Sequence, residues 1–149
     1  MENGKTQFTL LILGLFFILI SCNKSVEHQN DEITNLLEAD KDWAESAATN
    51  DFKKMISHFD TAAIGIYGTQ ILKGHSDLEP VWKRLMESPV YYLKWEVQGA
   101  EVSGNLGFTY GPWEQRRIIH SDTIVEKGIY LATWKKQSNG DWKVLIDKP

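Results

Sequence analysis

An α+β fold, helices first and a curved antiparallel sheet after them, is what this 149-residue sequence predicts. Apolar residues recur at helical spacing between Asp31 and Phe59. From Tyr91 onward the chain is a succession of β-forming stretches separated by short turn clusters. Several of these stretches run near a dozen residues, where strands of about five or six are usual. Long strands joined by tight turns make a strongly curved sheet, and its single set of leading helices packs on one face.

The first helix follows from Ile33, Leu36, Leu37, Trp43, Ala44, Ala47 and Ala48, with Asp31 as its expected N-cap. Thr49-Asn50-Asp51 breaks it, and Phe52, Met55, Ile56 and Phe59 mark a short second helix. Two apolar runs then flank Gly68-Thr69, a Gly-X pair suited to a type II′ hairpin. Ser76 and Glu79 are spaced as a capping box for a helix through Val81, Trp82, Leu85 and Met86, which Ser88-Pro89 closes. Strands are expected over Tyr91 to Val102, Leu106 to Ile119, Thr123 to Lys136 and Trp142 to Asp147. The turns between them fall at Ser103-Gly104-Asn105, near Ser121-Asp122, and at Ser138 to Asp141.

The composition is 42% hydrophobic and 24% charged with a net charge of -4, so a core is affordable and a basic footprint is missing. Lys53-Lys54, Arg116-Arg117 and Lys135-Lys136 are isolated doublets, which excludes a nucleic-acid reader or a polybasic membrane patch. His28, His58, His75 and His120 are scattered without metal-ligand spacing, so no metal is expected. Gly104, Gly107 and Gly111 lie in a hairpin rather than between a strand and a helix, so no phosphate loop and no cofactor is expected. Six tryptophans, five tyrosines and six phenylalanines serve either as bulky core filler or as the lining of an aromatic pocket.

At the N-terminus, Phe8 to Ile20 is thirteen uncharged residues after the single basic Lys5. A spanning helix needs about 20 apolar residues and a signal-peptide core about 7–15. Ile20 and Leu19 suit ordinary secretory cleavage poorly. Leu19-Ile20-Ser21-Cys22 instead resembles the lipobox of bacterial lipoproteins. That resemblance implies residues 1–21 as a lipoprotein signal peptide, removed before Cys22. It also implies acylation of Cys22, with a diacylglyceryl group on the thiol and a further chain, such as palmitate, on the new amino terminus. Several chains anchor stably where one does not. Residues 22–30 lack apolar periodicity and read as a tether, and 31–149 as the domain. The expected location is the bacterial cell envelope, on the outer membrane and facing the periplasm. No cysteine remains in the mature domain to form a disulfide.

The stretches "LLEADKDWAESAATNDFKKMISHF", "ILKGHSDLEPVW", "VSGNLGFTYGPWE" and "KGIYLATWKKQSNGDWKVLIDKP" follow one another in this order over residues 31–149. Together they resemble the nuclear-transport-factor-2-like superfamily, in its SnoaL-like branch. The resemblance implies a cone: a curved sheet wrapped around the N-terminal helices, with a pocket inside, often in a homodimer. It leaves function open, because the superfamily includes isomerases, dehydratases, hydrolases, cyclases and binding modules. Its ketosteroid isomerases use an Asp base beside the first hairpin and a Tyr and a protonated Asp as oxyanion donors. Here Ile64-Gly65-Ile66-Tyr67 holds no carboxylate, and the first helix carries Trp43 instead of an inward tyrosine.

Asp40 is the most informative candidate. On a helical projection Leu36, Leu37, Trp43, Ala44 and Ala47 lie within about 60° of it, while Glu38, Lys41, Asp42 and Glu45 face away. A carboxylate inside an apolar stripe needs hydrogen bonds or neutralisation. It is either an acid/base or ligand anchor, or a structural aspartate held by donors. Asp147 shares strand parity with Leu145 and not with Trp142, Val144 and Ile146, which leaves either face open to it. Trp43, Tyr67, Trp95, Tyr110, Tyr130 and Trp134 are candidate linings for a ligand, or plain core. The expected function is a lipid-anchored envelope protein that binds a small, largely apolar molecule. Proton-transfer chemistry through Asp40 and Asp147, or a pocketless dimeric interaction module, are the alternatives.

Overall fold

The computed structural model of the protein describes residues 28–88, 91–119 and 122–149. The expected signal peptide, Cys22 and most of the tether therefore lie outside the described residues. No helix among the described residues is long and apolar enough to cross a membrane. The chain divides after Glu32 into two compact units, of which the second, Ile33–Pro149, forms the domain. Residues 28–32 are themselves helical, so Asp31 sits within helix and is not the N-cap the sequence suggested.

Helix α1 covers residues 33–48 of the domain. It stops where Asn50 takes a left-handed conformation (φ 56°), which Asn tolerates better than most residues. Asp51 then caps α2 (Phe52–Ser57), its carboxylate accepting from the Lys54 amide at 3.0 Å. Phe59, expected on this helix, instead opens β1 (Phe59–Tyr67). A two-residue turn with Gly68 at φ 61° joins β1 to β2 (Gln70–Lys73), with Tyr67 opposite Gln70.

Helix α3 (Gly74–Met86) starts two residues before the expected capping box. Its first turn is held by Asp77, which accepts from the Lys73 amide at 2.9 Å, so the Ser76–Glu79 box is not what opens it. Leu78, Trp82 and Met86 form its buried stripe at a spacing of four.

The remaining strands are β3 (Tyr91–Trp95), β4 (Gly99–Ser103), β5 (Leu106–Ile119), β6 (Asp122–Lys136) and β7 (Trp142–Lys148). They form one open, curved sheet in the order β2-β1-β7-β6-β5-β3, with β4 also on β5. The sheet is antiparallel except where β7 lies parallel to β1, pairing Phe59 with Val144 and Gly65 with Asp147. Periodicity marks a strand without naming its partner, so this one parallel pair was not visible in the sequence.

The single strand expected over Tyr91 to Val102 is two strands on the same partner. Between them residues 96–98 arch across Gly111. The Glu96 amide donates to the Pro112 carbonyl (3.2 Å) and the Gln98 amide to that of Tyr110 (2.9 Å). A Cβ at Gly111 would stand 2.0 Å from the Glu96 carbonyl oxygen, so only glycine lets the chain cross there.

The core forms between α1, α3 and the concave face of the sheet, from Leu36, Trp43, Met55, Phe59, Leu78, Trp82, Trp134 and Val144. Trp43 is its hub, meeting Phe59, Trp95 and Trp134 edge-on at centroid distances of 5.6, 4.6 and 5.6 Å. On the convex face, Leu106, Phe108 and Tyr110 of β5 and Ile129 and Leu131 of β6 are exposed.

Candidate functional site

One side of the concave face is left unfilled. A cavity of about 350 Å³ opens between α3, the end of β1 and strands β3, β5, β6 and β7. Its walls are Trp43, Tyr67, Trp82, Trp95, Trp113 and Tyr130, with Val81, Leu85 and Leu93, and among the described lining residues Asp147 is the one acidic side chain. Gln70 and Gln115 are its amides.

Asp147 reaches this cavity because of an irregularity in β7. Opposite β6, Thr133 pairs with Ile146 but Trp134 pairs with Val144, so Leu145 is an extra residue in the ladder. The bulge reverses the alternation. Trp142 and Val144 face inward before it, and Asp147 faces inward after it, only 4% exposed. The Tyr67 hydroxyl donates to Asp147 Oδ2 at 2.7 Å and in turn accepts from Trp82 Nε1 at 2.9 Å. Burial pushes the Asp147 carboxyl up to about 6, Tyr67 pulling it down and the nearby Asp40 charge adding to the rise.

Asp40 is fully buried and does not line the cavity. It stands behind two residues that do. Trp95 Nε1 donates to its Oδ1 at 3.0 Å, and the Tyr130 hydroxyl lies 3.1 Å from both oxygens. Burial raises its pKa, outweighing the pull of Thr109, Trp95 and Tyr130. Tyr130 is raised as well, by burial first and by the Asp40 charge next, so its hydroxyl remains a donor. Asp40 therefore acts on the cavity by fixing the Trp95 and Tyr130 rings, from α1 to the two facing strands.

Of the aromatic candidates, Trp43, Tyr67, Trp95 and Tyr130 line the cavity. Tyr110 does not. It lies on the convex face beside Phe108, 43% exposed, because it has the opposite parity to Thr109 and Gly111 on β5. Trp134 is fully buried in the core beneath, its Nε1 donating to Thr109 Oγ1 at 2.8 Å. Trp82, Trp113, Leu93 and the two glutamines were missed. Trp82 lies on a helix whose packing partner the sequence does not name, and the inward parity of Trp113 on β5 is the one signal that points to it. No cluster of His, Cys, Asp and Glu among the described residues could hold a metal ion.

No protein-family model matches the chain, and no curated protein matches its sequence. Solved structures do resemble it. A nuclear transport factor 2 superfamily protein from Salmonella enterica serovar Typhimurium aligns over 79% of this chain and 89% of its own, with TM-score 0.67 and 16% identity. A ketosteroid isomerase-like protein from Erwinia carotovora aligns over 79% and 94%, with TM-score 0.66 and 16% identity. A protein of unknown function with the same fold from Pseudomonas putida covers 79% and 84%, with TM-score 0.64 and 13% identity. The domain therefore has the nuclear-transport-factor-2-like fold, a cone of curved sheet around its helices.

Proposed function

We propose that the protein is a lipid-anchored envelope protein whose cone binds a small, largely apolar molecule. The observation that carries this is the open cavity of about 350 Å³, walled by aromatic rings with the Asp147 carboxylate among them. Ligand pockets are typically concave, about 300–1,000 Å³, mostly apolar and provided with a few polar groups that orient the guest. The anchor rests on the thirteen-residue apolar run that ends in Leu19-Ile20-Ser21-Cys22. The exposed convex residues Ile129 and Leu131 support a homodimer through that face. Binding is tested by titrating the protein with a panel of small aromatic and aliphatic molecules while following tryptophan emission, since four tryptophans line the cavity. An unchanged spectrum across the panel, with no protection from thermal unfolding, would reject the reading.

One observation favours a second reading, proton transfer. Asp147 is pushed up to about 6 and is held by the Tyr67 hydroxyl at the cavity wall. A base near neutrality beside a phenolic donor suits removal of a proton from a carbon acid. In that case Asp147→Asn keeps ligand affinity and loses turnover. A variant with unchanged turnover rules the chemistry out.

A further inference from the structure

The wall chemistry of the cavity points to one charge type. Among the described residues, four indoles and two phenols surround it, and no lysine, arginine or histidine lines it. Asp147 lies in that wall, and Tyr67 is the one hydrogen-bond donor the described residues give it. A second carboxylate, Asp40, is held immediately behind Trp95 and Tyr130. The groups that act on Asp147 are the Tyr67 phenol from β1 and Asp40 from α1, and the Tyr130 phenol of β6 in turn feels the Asp147 charge. None of them is a cation. Among the described residues the two acids thus have no positive partner, and burial raises both.

A neutral guest leaves this deficit as it is, and an anion worsens it. A cation answers it twice, through the carboxylate and through the negative faces of the rings, which attract ammonium groups within about 6 Å. The rings are already set at mutual angles around the space. Trp95 meets Trp43 at 64° and Tyr130 at 63°, and Tyr67 meets Trp82 at 83°.

We propose that the cavity is an aromatic cage for an organic ammonium ion, whose charged head pairs with Asp147 and whose apolar body lies against Val81, Leu85 and Leu93. This rests on the reading of the cavity as a small-molecule site. Gln70 and Gln115 supply neutral hydrogen bonds to the guest, without adding charge.

The test uses the full-length protein in detergent micelles and three probes of similar size and shape: 2-phenylethylammonium, 2-phenylethanol and phenylacetate. Calorimetric titration at pH 8 should rank them in that order, with the ammonium at least about tenfold tighter than the alcohol. Asp147→Asn should lower ammonium affinity at least about fivefold, leaving the share the rings supply, while alcohol affinity stays within about twofold of wild type. A second arm needs no variant. Lowering the pH through about 6 protonates Asp147 in the empty cavity, so ammonium affinity should fall there while alcohol affinity stays level. The alcohol or phenylacetate binding as tightly as the ammonium, or an ammonium affinity independent of pH, would overturn the charge assignment and leave the pocket reading standing. No binding by any of the three would overturn both.

Discussion

Replacing Asp147 by asparagine should make the protein more stable at neutral pH. In the unfolded chain its carboxyl titrates near the ordinary 3.8, and in the cone burial pushes it up to about 6. The folded state therefore holds this proton more tightly than the unfolded state. The resulting stabilisation is complete below about pH 4 and is lost as the pH rises through about 6. Above that, the folded protein carries a buried carboxylate. Moving a carboxyl from 3.8 to about 6 corresponds to about 3 kcal/mol, with the Tyr67 hydrogen bond already included. Asparagine keeps the shape, still accepts from Tyr67 and never ionises. Asp147→Asn should thus exceed wild type by up to about 3 kcal/mol at pH 8, roughly 10 °C in Tm for a domain of this size. The gain should shrink to nothing near pH 4. Urea unfolding of both proteins at several pH values between 4 and 8 measures the difference curve. A flat curve, or a variant less stable than wild type at pH 8, would refute the argument that Asp147 is an uncompensated buried acid.

Gly111→Ala should cost more than about 3 kcal/mol, because the new Cβ would meet the Glu96 carbonyl at 2.0 Å, a backbone atom with no rotamer to escape into. Thermal unfolding of the variant checks this, and a Tm within a few degrees of wild type would show that residues 96–98 do not cross there. Cys22→Ala should leave an uncleaved precursor that no longer carries acyl chains. Mass spectrometry of the mature wild-type amino terminus decides the point, an unmodified terminus elsewhere than Cys22 being the contrary result. Ile129→Asp together with Leu131→Asp should lower the sedimentation coefficient to that of a monomer without altering ligand binding. An unchanged coefficient would place any dimer contact on another surface.

Local physics made much of this protein legible from sequence alone. Turn chemistry and strand propensity are local, so Leu106–Ile119 and the hairpin at Gly68 could be bounded without any partner strand. Helical periodicity is local too, which is why an aspartate at the centre of the α1 apolar stripe was expected to be buried. Asp40 is fully buried, with three donors around it. What periodicity leaves open is everything that depends on a second element. The bulge at Leu145 is an offset between β7 and β6, and it alone turns Asp147 toward the cavity against the parity of its strand. The arch over Gly111 cut one expected strand into two. Trp82 enters the site only because α3 packs against the end of β1, where its indole reaches the Tyr67 hydroxyl. The sequence by itself determined most of the helical and strand segments and that one acid is buried. The tertiary structure decided which acid faces the cavity and what surrounds it, because register and packing are set between segments and not within them.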